Sequence, residues 1–157
     1  MSAVHPFVFP VPNEISTCFE PAPASTLWVT LPESVDGGPP HFSPGLLRGL
    51  MGVLHSLKSR AVAWPANGSM HPVHYTVLKS AHPEYFSLGG DLAHFRDCIV
   101  RGDRDSLFEY SKLCADMMYE WSSLLGQHAT TVALVQGRAL GGGFETALAA
   151  DVIVAEA

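Results

Sequence analysis

The chain has 157 residues, 47% of them hydrophobic and only 15% charged, with a formal net charge of −6. That length suits one domain with a substantial core, and the Lys and Arg residues are scattered singly, which excludes the basic patch of a nucleic-acid-binding surface. An average soluble domain is about 25% charged, so a surface this poor in charge is expected to be covered by a core, by sister subunits or by further chain.

Residues 1–26 carry Pro6, Pro10, Pro12, Pro21 and Pro23 with little periodicity and read as a proline-rich arm or irregular edge. Residues 27–157 read as the domain itself. The opening Met1-Ser2-Ala3-Val4-His5-Pro6 has neither a positive n-region nor a long apolar h-region, so no secretory signal is expected. The most apolar stretch, residues 132–155, contains Arg138, Glu145 and Asp151, which argues against a membrane span. Cys18, Cys98 and Cys114 lie far apart without metal spacing and are expected as reduced thiols in the cytoplasm.

Leu27-Trp28-Val29-Thr30-Leu31 is a strand ended by Pro32, and residues 35–42 form a loop. Ser43-Pro44 supplies an N-cap and first helical residue, and Leu46, Leu47, Leu50, Val53, Leu54 and Leu57 follow at helical spacing. Residues 65–72 read as another loop and residues 73–78 as a strand. After Gly89-Gly90-Asp91, residues 92–100 read as a helix, broken by Gly102-Asp103. Asp105 or Ser106 then caps a longer helix running to about Leu125. Its broad face of Leu107, Tyr110, Leu113, Cys114, Met117, Met118 and Trp121 reads as core packing. Residues 132–136 form a buried strand, a glycine turn leads into the helix-forming residues 147–150, and Val152-Ile153-Val154 is a further strand. Strands alternating with helices predict an α/β fold.

Two glycine-rich turns carry the chemistry: Phe86-Ser87-Leu88-Gly89-Gly90-Asp91-Leu92 and Ala139-Leu140-Gly141-Gly142-Gly143-Phe144-Glu145. Neither fits the dinucleotide fingerprint, since the third glycine counted from Gly141 and Gly143 would fall at Thr146. Neither ends in the Gly-Lys-Ser/Thr of a phosphate loop. Glycines at a helix start let a ligand oxygen approach bare backbone N–H groups, and two such turns can each donate one N–H to a single oxygen. With Glu145 alongside, that points to a developing oxyanion held beside an acid/base group. On plainer grounds the triple glycine serves a tight turn, Glu145 complements the helix dipole, and Asp91 caps the following helix. The eight histidines show no metal-ligand spacing, and Ser69, Ser80 and Ser87 lack a nucleophile elbow.

These two turns resemble those of the enoyl-CoA hydratase/isomerase (crotonase) superfamily. Gly89-Gly90-Asp91-Leu92-Ala93-His94-Phe95, Gly102-Asp103-Arg104 and Gly141-Gly142-Gly143-Phe144-Glu145 are most similar to the diffusible signal factor synthases, as is the opening Met1-Ser2-Ala3-Val4 with Pro6-Phe7. The resemblance covers residues 73–157 closely and residues 10–70 thinly. It implies an α/β crotonase-type spiral of strand–strand–helix units. It also implies an oxyanion hole from the N–H groups of Gly90 and Gly142, with Leu88, Gly89 and Gly141 at the substrate and Glu145 as one of two catalytic glutamates. The second belongs to a later turn. Ala157 comes twelve residues after Glu145, and Glu156 falls too early, so the chain is expected to be the N-terminal part of such a domain, with the C-terminal half absent.

For the intact relative the resemblance implies a 3-hydroxyacyl thioester on acyl carrier protein or CoA, dehydrated and then hydrolysed to a cis-2-unsaturated fatty acid signal. No metal or organic cofactor is implied. Docking to a sensor protein and homo-oligomerisation of the full-length enzyme are implied too. The alternatives are a truncated non-catalytic piece or binding module, and an ordinary enoyl-CoA hydratase. A half-fold is further expected to leave core faces exposed and to self-associate.

Overall fold

The computed structural model describes residues 15–34, 36–123 and 128–156. In chain order its elements are β1 (Ser16–Glu20), β2 (Thr26–Leu31), α1 (Pro44–Ser59), β3 (Ala63–Ala66), β4 (Ser69–Pro72), β5 (Tyr75–Ser80), β6 (Tyr85–Ser87), α2 (Leu92–Arg101), α3 (Arg104–Ser123), β7 (Thr130–Val135), β8 (Arg138–Ala139), α4 (Gly142–Leu148) and β9 (Val152–Ala155). Strands β1-β2-β5-β7-β9 form one sheet in that order. The β1–β2 pair is antiparallel and the other pairs are parallel.

The parallel pairs need crossovers, and the helices supply them. β5, β6 and α2–α3 make one strand–strand–helix unit, and β7, β8 and α4 make the next. The short strands β6 and β8 pair in parallel as a separate ribbon, Tyr85 opposite Arg138 and Ser87 opposite Ala139. This is the crotonase-type spiral, and the pairing of β6 with β8 is what brings the two glycine turns together.

Helix α1 forms as its sequence dictates. Ser43 caps it, its hydroxyl accepting from Leu46 N at 3.1 Å, and Pro44 opens it. Leu46, Leu47, Leu50, Val53, Leu54 and Leu57 are all buried, against the inward residues Leu27, Val29 and Leu31 of β2. On α3, Tyr110, Met117 and Trp121 are buried while Leu107, Leu113, Cys114 and Met118 are half-buried, so the expected face is the one that packs. At the start of β9, the Asp151 carboxylate accepts from Thr131 N at 2.8 Å and Thr131 Oγ1 at 2.9 Å. β9 itself is exposed at all four positions, including Val152, Ile153 and Val154.

Several elements depart from the sequence reading. Residues 65–72 belong to the β3–β4 hairpin, turned by Asn67 (φ 50°) and Gly68 (φ 77°), the two left-handed residues a tight hairpin turn demands. Pro65 is tolerated because the ribbon has only two strands, so its missing N–H breaks no interior ladder. Asp103, rather than Asp105 or Ser106, caps α3: its carboxylate accepts from Ser106 N at 3.0 Å and Ser106 Oγ at 2.8 Å. The strand expected over residues 73–78 runs two residues later, and α4 starts at Gly142, inside the glycine run. Within the proline-rich residues 1–26, Ser16–Glu20 is a regular edge strand. Residues 1–14 of that arm, and Leu125, lie outside the described residues.

Candidate functional site

The first glycine turn leaves β6 and leads into α2. Segment 40–42 lies alongside it, with Leu88 N donating to Pro40 O at 2.8 Å and Phe42 N to Gly89 O at 2.7 Å. A peptide unit is planar and trans, so its C=O and N–H point in opposite directions. Fixing Gly89 O against Phe42 therefore turns the N–H of Gly90 the other way, off segment 40–42. The second turn follows the same logic. Gly141 O accepts from Glu145 N at 3.1 Å in the first turn of α4, which aims the Gly142 N–H out of the helix start. Neither Gly90 N nor Gly142 N donates to a protein acceptor among the described residues.

The turns touch through backbone. Leu140 N donates to Ser87 O at 2.9 Å. A Cβ at Gly89 (φ +87°) would lie 2.6 Å from Leu140 O and 2.7 Å from Gly142 N, and one at Gly143 would lie 2.7 Å from Ser87 O. Side chains at these two positions would force the turns apart, so glycine is required there for close approach. A Cβ at Gly142 would be 3.6 Å from Gly90 N, which places the two amides at neighbouring points of one surface.

Gly90, Gly142 and Glu145 line a single cavity of about 250 Å³. The rest of its wall is largely apolar: Phe42, Leu47, Phe95, Met117 and Met118, with Tyr110, Cys114 and Thr146. The three residues given the central roles by the sequence are thus brought together. Leu88, Gly89 and Gly141 are not in that wall: Leu88 and Gly141 are exposed, and Gly89 is buried under the second turn.

Helix α3 holds both turns. At one end Tyr110 Oη donates to Phe42 O at 2.6 Å and accepts from Asp91 N at 3.0 Å. At the other, Trp121 Nε1 donates to Thr146 O at 3.1 Å, while Thr146 Oγ1 donates to Gly142 O at 2.8 Å. Burial pushes the Tyr110 phenol well above the usual tyrosine range, against the opposing bond from Asp91 N. Burial also raises the Cys114 thiol, with its bond to Tyr110 working the other way. Asp91 caps α2, its Oδ1 accepting from His94 N at 2.9 Å, as the plainer reading of that residue held. The sequence reading missed Phe42 and Phe95 as wall residues and took Tyr110 only as packing. The available signal was a lone hydroxyl on an otherwise apolar stripe, a group that needs partners when buried.

Among the described residues no group of three or more His, Cys, Asp or Glu is arranged to hold a metal ion, and no helix is long and apolar enough to cross a membrane.

Comparison with known proteins agrees with this arrangement. Residues 70–157, more than half of the chain, match the family model described as enoyl-CoA hydratase/isomerase. No curated protein sequence gives a significant match. Among solved structures, an enoyl-CoA hydratase from Bacillus halodurans superposes with a TM-score of 0.71 at 23% identity, over 91% of this chain and 50% of that one. An enoyl-CoA hydratase from Bacillus anthracis gives 0.70 at 22%, over 91% and 47%. Pseudomonas aeruginosa DspI gives 0.69 at 23%, over 94% and 51%. The chain therefore spans about half the length of these structures and shares their fold. By that match, with its two apposed glycine turns, it belongs to the enoyl-CoA hydratase/isomerase family.

Proposed function

We propose that the cavity between the two glycine turns binds an acyl thioester, with the N–H groups of Gly90 and Gly142 as an oxyanion hole and Glu145 as acid/base. The observation that carries this reading is that all three residues line one cavity whose remaining wall is largely apolar. The apolar wall suits an acyl chain, and the amides suit a thioester oxygen that gains charge as C2 loses its proton. One well-placed donor in such a hole contributes about 3–4 kcal/mol of transition-state stabilisation. A positioned acid/base contributes roughly 10²–10⁴-fold.

The reaction we assign is dehydration of a 3-hydroxyacyl thioester. Glu145 takes the C2 proton, the C2–C3 double bond forms, and the 3-hydroxyl leaves as water after protonation by a second acid, taken to be a glutamate of a later turn. Attack of water on the same carbonyl would release a free cis-2-enoic acid, the product of the diffusible signal factor synthases that the turns resemble. Acyl carrier protein is the carrier we favour. Docking to a sensor protein and homo-oligomerisation of the full-length enzyme belong to the same reading. Leu88, Gly89 and Gly141 then act by shaping the turns.

The family description favours a second reading, hydration of an enoyl-CoA at the same site. Incubation with 3-hydroxyacyl carrier protein and, separately, with 3-hydroxyacyl-CoA, followed by mass spectrometry, tests both. With the full-length enzyme, free enoic acid from the carrier-protein substrate is the expected result. Interconversion of CoA esters without release supports the hydratase. No turnover and no binding of either thioester rejects the site assignment for this chain.

A further inference from the structure

Tyr110 is 4% exposed, and its ring lies between His94, at 5.1 Å between centroids, and Phe95, edge-on at 5.0 Å. It belongs to the wall of the 250 Å³ cavity and also to that of a polar cleft of about 400 Å³ with Arg48, Asp105 and Glu109. Ring packing explains its burial. It does not explain where the hydroxyl goes.

That hydroxyl closes a circuit around the first glycine turn. Asp91 N donates to Tyr110 Oη, Tyr110 Oη donates to Phe42 O, and Phe42 N donates to Gly89 O. The two peptide planes on either side of Gly90 are therefore both pinned, one at its oxygen by Phe42 and the other at its nitrogen by Tyr110. Gly89 and Gly90 are consecutive glycines, the pair with the least intrinsic resistance to peptide rotation. Without the phenol the Gly90–Asp91 plane loses its pin. Phe42, no longer held at its oxygen, can then shift together with the Gly89 oxygen it grips and so turn the Gly90 N–H off its direction. A phenylalanine would fill the same volume and supply no pin.

We propose that Tyr110 is a positioning residue for the oxyanion site, its phenol clamping Asp91 N–H and Phe42 C=O so that the Gly90 N–H stays aimed into the cavity. The inference rests on the assignment of Gly90 and Gly142 as an oxyanion hole. It adds a wall residue whose hydroxyl, engaged by Asp91 N and Phe42 O, acts through the turn. The elevated phenol pKa keeps the donor protonated across the neutral range, consistent with an uninterrupted clamp.

The test is the carbonyl stretch of a saturated acyl-CoA, labelled with ¹³C at the thioester carbon, bound to the protein and to Tyr110→Phe. A shift to lower frequency on binding is expected for the unsubstituted protein. In Tyr110→Phe most of that shift should vanish while the dissociation constant stays within about threefold. Turnover should fall about 10- to 100-fold in kcat with little change in KM, a fraction of what outright loss of a donor costs. A full carbonyl shift in Tyr110→Phe overturns the role of Tyr110 and leaves the oxyanion assignment standing. No shift in the unsubstituted protein overturns that assignment and the positioning role with it. Hydrogen exchange of the unsubstituted protein gives a readout that needs no variant: Asp91 N–H should exchange slowly, and exchange at the rate of an unstructured amide overturns the clamp.

Discussion

The indole of Trp121 donates to the carbonyl oxygen of Thr146 at 3.1 Å, and through that bond α3 grips the helix that carries Glu145. Trp121 is 3% exposed, so the bond is shielded from water. Trp121→Phe removes the donor and leaves a carbonyl without this partner, at a cost of about 1–3 kcal/mol. The denaturant midpoint should fall accordingly. An unchanged midpoint would show that the bond contributes nothing.

Glu145→Gln keeps the shape of an exposed side chain and removes its proton chemistry. Thermal stability should be unaffected, while any dehydration or hydration rate drops by roughly 10²–10⁴-fold. Near-normal rates would take Glu145 out of the mechanism.

Two glycines offer a contrast within one chain. Gly143→Ala puts a methyl 2.7 Å from Ser87 O and 2.8 Å from Ser87 Cβ, so the turns must separate, costing about 1–3 kcal/mol. Gly52→Ala in α1 meets nothing within 4 Å and should stabilise by about 0.5–1 kcal/mol. Melting temperatures that move in the same direction for both would contradict the close-approach argument.

Thr76 is fully buried in β5, and its hydroxyl has no hydrogen-bond partner among the described residues. It borders a void of about 10 Å³ beside Val29, Leu50 and Leu78. Thr76→Val exchanges an unsatisfied hydroxyl for a methyl and should stabilise by about 1 kcal/mol. Equilibrium unfolding decides it, and a destabilised variant would mean that the hydroxyl is satisfied in solution.

Asp103 carries the one pH prediction. The backbone bond from Ser106, then its side-chain bond, hold this half-buried carboxyl below the usual carboxylate range. A lowered folded-state pKa favours the folded form above the unfolded value of about 3.9, and that contribution fades as pH falls through the folded value. The corner between α2 and α3 should therefore stay intact at neutral pH and loosen only in acid below the ordinary aspartate titration. The amide resonance of Ser106 should report this, and in Asp103→Asn its acid transition should disappear. A transition that persists in the variant assigns it elsewhere.

Much of the site was legible because its requirements are local. The glycine runs at 89–90 and 141–143 announce close backbone approach, and the Ser43-Pro44 start with its leucine spacing fixes α1. What escaped was settled over distance. β6 and β8 are three and two residues long and exist only because they pair with each other, so neither has a period to read. The bonds of Tyr110 span 68 residues to Phe42 and 19 to Asp91, and no window around Tyr110 contains both partners. The β3–β4 hairpin was in plain sight as Asn67-Gly68, but the neighbouring prolines outweighed it.

The bond from Glu145 N to Gly141 O has a mechanical corollary. The carboxylate-bearing residue and the amide of residue 142 sit on one short lever, locked together by a single rung of helix. Any tilt of that lever shifts donor and carboxyl group in concert, preserving their mutual spacing while changing their distance to the opposite amide at residue 90. Tuning this centre then reduces to one adjustable gap, the separation between the two loops, and the tight backbone contact beneath them sets its lower limit.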